Sequence, residues 1–225
     1  MVNPPPMIRT DESNAFAHDT LARRMPSNVR EVARLNPDYS PLVQEALERL
    51  AVALESDAPI TGFEPFGPDV ELWAKSVTEH IGQTWQQTDW FFAEIAAYRH
   101  LIDAVRWWET GRDPFMPKKV AEMGSSELWA TLDRALAERT RPLPERLQAL
   151  VHLDLWGNRI DLSFASALAH GSHGSHDDLL ADDSAAVVEH LLKTEGEVHF
   201  IADNTGTELA MDLALTDALF DRGVQ

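Results

Sequence analysis

The chain of 225 residues contains no cysteine, which excludes disulfides, thiolate metal ligands and a cysteine nucleophile without identifying a compartment. It is also poor in positive charge: 19 Lys and Arg stand against 37 Asp and Glu, a formal net charge of −18. Such a surface repels phosphate backbones and anionic lipid heads, so neither nucleic acid nor a membrane surface is an expected partner. An anionic substrate would need local positive charge, most simply a bound metal. Long apolar runs are missing too. The start, Met1-Val-Asn-Pro-Pro-Pro-Met-Ile-Arg-Thr10, has no apolar core of signal-peptide length, and nothing downstream approaches an uncharged membrane span. A cytoplasmic location is the expectation, and a hydrophobic content of 44% suits one large or two small globular domains.

What the chain does have is helical periodicity. Residues 1–12, with Pro4-Pro5-Pro6, read as an extended arm, and Phe16 to Arg24 as a short helix stopped before Pro26. Ser40-Pro41 is a helix start, a capping hydroxyl followed by proline in the first turn, with Leu42, Leu47, Leu50, Val52 and Leu54 as the apolar stripe. Residues 59–68 read as a loop anchored by Ile60, Phe63 and Phe66. A long central helix is expected from about Asp89 to Glu109 and further helices from Ser125-Ser126, over 145–156 and from Asp182-Asp183-Ser184; Ala149 to Leu155 also alternates like a strand, and the Pro-Glu-Arg start favours the helix there. Glu94 and Arg99 on the central helix read as a buried structural pair. The tract His170-Gly-Ser-His-Gly-Ser-His176 reads as a flexible polar loop rather than a metal site, and the tryptophans as core.

One stretch breaks this pattern. In Gly196-Glu-Val-His-Phe-Ile-Ala-Asp-Asn-Thr-Gly-Thr-Glu208, the β-formers Val198, Phe200 and Ile201 run into the polar turn Asp203-Asn204-Thr205-Gly206, and Leu209, Leu213 and Phe220 then recur near helical spacing. A strand tip presenting Asp203 and Asn204 beside a helix N-terminus offers two hard oxygen ligands for a cation and free N–H groups for an anion. An Asx turn capping the helix is the alternative reading of the same residues.

Several separated segments together resemble one family. Ser13 to Pro26, Trp90 to Arg99, Asp113-Pro-Phe115 with Lys118 or Lys119, Leu155-Trp-Gly-Asn-Arg-Ile-Asp-Leu-Ser163 and His199 to Glu208 are similar to the metal-dependent damage-control phosphatases. The nearest branch is that of the sugar-phosphate phosphatases, also described as acidic-residue methyltransferase-like proteins. The resemblance implies a mainly α chain: a helical N-terminal domain, 13–194 after the 1–12 arm, followed over 195–225 by the first strand-helix unit of a Rossmann-like α/β/α domain. It implies that Asp203 and Asn204 are the catalytic metal ligands and contact the substrate phosphate, and that Asn158 and Asp161, in a Gly-Asn-x-x-Asp signature, line the same cleft. Glu208 falls at a pocket described as accepting a methyl donor. Further strands, a third acidic ligand and an Arg-Thr-x-Lys element are expected after Gln225, so the chain reads as truncated.

The expected function is therefore a metal-dependent phosphatase of small phosphorylated sugars, with Mn²⁺ or Mg²⁺ as cofactor and Co²⁺ or Ni²⁺ as further candidates. The second class is an S-adenosylmethionine-dependent carboxyl methyltransferase. The third is a non-catalytic acidic helical module that self-associates through the unpaired strand at Val198 to Ala202.

Overall fold

The computed structural model describes residues 5–63, 66–157, 179, 181–202 and 204–223. Among these residues the chain is mainly helical, and its only β pairings are isolated bridges, Arg9 with Asp89 and Pro59 with Thr84. The expected fold class stands in its helical part. No described helix is long and apolar enough to cross a membrane. The chain divides into two compact units, Met1–Pro117 and Lys118–Gln225.

The first unit opens with α1 (Ala15–Asp19), capped by the Asn14 side chain, which accepts from Ala17 N. The helix does not stop before Pro26 as expected. It passes through a π turn, Thr20–Arg24, into α2 (Met25–Leu35). Proline has no N–H and its ring crowds the preceding turn; widening that turn, with Met25 N donating to Thr20 O, lets the chain continue where an α turn would break. Leu21, Met25, Val29 and Val32 fall on one face and are buried.

Ser40 caps α3 (Pro41–Glu55) as expected, its side chain accepting from Val43 N, and Leu47, Ala51 and Leu54 face the core. After α4 (Val70–Thr78) comes the central helix α5 (Trp90–Ala104). It is shorter than expected. Arg106 adopts φ +55, a left-handed conformation that no helix interior accommodates, so Trp107–Thr110 forms a separate turn, α6. The arm before α1 lies along the start of α5: Thr10 N donates to Thr88 O at 2.9 Å and Trp90 N to Ile8 O at 2.9 Å.

Glu94 and Arg99 do not pair with each other. Five positions apart on a helix, they point to different faces. Glu94 meets Arg24, whereas Arg99, its side chain only 5% exposed, bonds both oxygens of Asp69, the Asp103 carboxylate and Phe66 O. A buried guanidinium is tolerable only with this many acceptors.

The second unit holds α7 (Met116–Met123, continuing from the last residues of the first), α8 (Ser126–Ala137), α9 (Leu143–Gly157), α10 (Ser184–Lys193) and α11 (Thr207–Arg222). Ser125 caps α8, accepting from Leu128 N. Leu147 and Leu150 of α9 pack with Met211, Leu215 and Leu219 of α11, which makes these two helices the centre of the unit. Arg146, buried beside them, spans the carboxylates of Asp217 and Asp221. The segment before α11 forms no ladder. Val198 and Phe200 are partly exposed and Ile201 is 93% exposed, and no second strand among the described residues accepts the backbone bonds of this β-prone segment.

Candidate active site

The first turn of α11 is the place where the chemistry-bearing residues of the second unit meet. A helix N-terminus leaves its first N–H groups without intrahelical partners and carries partial positive charge. Here Glu122, from α7, supplies the acceptor: its Oε1 takes Thr207 N at 2.8 Å and Thr207 Oγ1 at 3.0 Å. The carboxylate sits directly against Gly206. That glycine has φ +74, and a Cβ there would lie 2.0 Å from Glu122 Cδ and Oε2. Both the left-handed backbone and the close approach require glycine.

One turn further in, Asn204 Nδ2 donates to Glu208 Oε2 at 2.9 Å. With the amide nitrogen engaged, the orientation of Asn204 is fixed and Oδ1 is its remaining oxygen. The end of α9 abuts the same turn: a Cβ on Gly157 would meet Glu208 Cα at 3.1 Å. Three residues before that glycine, Asp154 faces α11. Burial, then the neighbouring Asp212 carboxylate, which also shares a hydrogen bond, then Glu208, push its pKa up to about 7. Its Oδ1 is buried without a hydrogen-bond partner among the described residues.

Of the residues singled out in the sequence, Asn204 and Glu208 are thus in contact. Asp203, Asn158, Asp161 and the histidines of 170–176 lie outside the described residues. Glu122, Asp154 and Asp212 were not anticipated. Glu122 sits on α7, a helix the sequence pattern did not reveal, and it reaches a residue 85 positions away. Asp154 and Asp212 carried a signal that could have been used: each interrupts the apolar pattern of its helix, and Asp212 lies one turn beyond Glu208 on the same face.

The donor set is wholly oxygen. Carboxylates and amide carbonyls are the ligands of hard divalent cations such as Mg²⁺ and Mn²⁺, and not of soft metals. The raised pKa of Asp154 and its unbonded oxygen mark an end of the unit with excess negative charge, which a cation would relieve. Among the described residues no group of three or more His, Asp or Glu side chains converges to enclose a metal.

The damage-control phosphatase ARMT1-like domain matches residues 18–225 of this chain. The chain belongs to that family. Relatives in the same family include damage-control phosphatase ARMT1 of Danio rerio, 25% identical over 271 aligned positions that cover 98% of this chain and 60% of the relative. The proteins of that name from Mus musculus and Xenopus laevis are 23% and 24% identical, covering 98% and 97% of this chain and 61% of each relative. The chain therefore spans about three-fifths of the length of these ARMT1 proteins. The family match runs through both units and includes the turn at Asp203-Asn204 and all of α11.

Proposed function

We propose that this family member carries part of a metal-dependent phosphatase site for small sugar phosphates, centred on the turn Asp203-Asn204. The observation that carries the reading is the bond from Asn204 Nδ2 to Glu208 Oε2 at the first turn of α11, within a sequence that matches the ARMT1-like phosphatase domain over 18–225. Asp203 and Asn204 would hold Mn²⁺ or Mg²⁺, which when bound polarises phosphoryl oxygens and offsets their charge.

The chain's own groups have separate tasks. Glu208 orients the Asn204 amide so that its carbonyl oxygen is the one left for a cation. Glu122 anchors Thr207 and so fixes where the turn ends and the helix begins. The Asp154 carboxyl retains a proton near neutral pH, which reduces the repulsion that Asp212 and Glu208 exert on it. Asn158 and Asp161 are assigned to the same cleft as substrate-binding residues on the Gly-Asn-x-x-Asp signature. Glu208 has an orienting role that uses one of its oxygens, and this favours the phosphatase over the methyl-transfer reading of that residue.

The direct test is phosphate release by the purified chain from a panel of sugar phosphates with Mn²⁺ or Mg²⁺, run beside a full-length ARMT1 relative. Metal-dependent release by both supports the reading. Turnover by the relative and none by the chain rejects activity for this chain on its own.

A further inference from the structure

Between Asn204 and the helix that carries Glu208 the chain has one joint. Gly206 has φ +74 and ψ −131, a part of backbone space that residues with a Cβ avoid, and glycine is also the residue whose backbone turns most freely. Asn204 stands two positions before it and Glu208 two positions after. Left to itself, such a joint would let the turn swing against the first turn of α11, and the aim of its oxygens would swing with it.

Two contacts oppose that motion. The bond from Asn204 Nδ2 to Glu208 Oε2 at 2.9 Å spans the joint from within the turn. The other contact comes from α7. Glu122 Oε1 accepts Thr207 N at 2.8 Å and Thr207 Oγ1 at 3.0 Å, and the same carboxylate fills the space beside Gly206, where a Cβ would lie 2.0 Å from Cδ and Oε2. One oxygen is fastened to α11 while the other is packed against the joint.

Capping alone does not call for this arrangement. A Ser, Thr, Asp or Asn at position 206 could cap α11 locally, and Glu122 Oε2 would not then be held buried without a hydrogen-bond partner among the described residues, which costs free energy. The backbone conformation at 206 demands glycine instead, and a residue 85 positions away supplies both the cap and the wall of the joint.

We propose that Glu122 is a positioning residue for the cation site at the turn Asp203-Asn204, acting by the reach of its carboxylate and not by its charge. By holding Thr207 and closing the space beside Gly206, it keeps the turn in the arrangement that binds the ion; it does not itself touch the ion. The inference rests on the metal reading of that turn. Affinity falls with the fraction of chains in the binding arrangement, so a joint that spends about nine-tenths of its time elsewhere weakens binding about tenfold. A loss of that size is the lower end of what removing an outer partner of a metal ligand costs.

The test is calorimetric titration of the whole chain with Mn²⁺, comparing Glu122→Gln and Glu122→Asp at a temperature where circular dichroism shows every protein folded. Gln keeps a carbonyl oxygen at the same reach and loses the charge, whereas Asp keeps the charge and is one methylene shorter. The Gln variant is expected to bind within about threefold of the unmodified chain, and the Asp variant about tenfold more weakly. Equal affinity of the two variants, or a Gln variant weaker than the Asp variant, overturns the proposal. If Asn204→Ala still weakens binding in that case, the metal reading stands without it. No saturable binding by the unmodified chain rejects the metal reading itself, and this role for Glu122 with it.

Discussion

Glu122 and Thr207 are 85 positions apart in sequence and joined by two hydrogen bonds, from the backbone N and from Oγ1 of the threonine to a single carboxylate oxygen. Helix α11 is thus capped by α7, not by its own preceding residue: Gly206 has no side chain to offer. The arrangement ties the start of the main helix of the second unit to the polar turn before it, so the turn's geometry depends on a residue far away in the chain.

Removing that cap should be costly. Glu122→Ala is expected to destabilise the chain by about 1–2 kcal/mol, the usual loss when helix N–H donors lose a side-chain acceptor. Gly206→Ala should cost at least as much, since it combines the φ of +74 with displacement of the Glu122 carboxylate. Urea denaturation measures both. If the double variant loses the sum of the two single losses, the residues do not act through the same contact, contrary to the geometry.

Asp154 should make stability fall with rising pH. Its ordinary pKa is 3.8, and in the folded chain it is about 7, so between these values the folded state holds a proton that the unfolded state has released. The contribution is negligible below about pH 4 and grows as a penalty through pH 7. Asp154→Asn is expected to stabilise the chain at pH 8 by on the order of 1 kcal/mol, after allowance for solvent screening at a partly exposed group, and by almost nothing at pH 4. An equal gain at both pH values would contradict the raised pKa.

Arg99 is a buried polar tie of the first unit. Arg99→Ala leaves the Asp69 and Asp103 carboxylates without their shared cation and should cost roughly 3–5 kcal/mol. Arg99→Met, which keeps much of the packing, should be no better if the ion pairs dominate, and clearly milder if the cost is mostly lost volume. Thermal unfolding of the two variants separates these cases.

The sequence revealed those features whose cause is local. Ser40-Pro41 and Ser125 could be read as helix starts because a capping hydroxyl acts within three residues, and both caps are formed. Helices α10 and α11 were likewise legible from apolar spacing, and α9 from its Pro-Glu-Arg start, since Ala149 to Leu155 also alternates like a strand. The errors lie where a local rule met a compensation at a distance or an uncommon backbone state. Pro26 reads as a stop, yet the π turn before it carries the helix through. Arg106 reads as helix interior, yet it is left-handed. At the site, Asn204 stood out as part of a polar turn and Glu208 through the family resemblance, while their contact and the approach of Glu122 to Thr207 are made by the fold.

The account rests on the turn at Asp203-Asn204 being a metal site. Calorimetric titration of the chain with Mn²⁺, beside Asn204→Ala, tests it most directly. The prediction is saturable binding of one ion per chain, weakened at least about tenfold in Asn204→Ala, a loss of about 1.4 kcal/mol, with the thermal stability of the metal-free proteins alike. Absence of binding, or equal affinity in the two proteins, would contradict it.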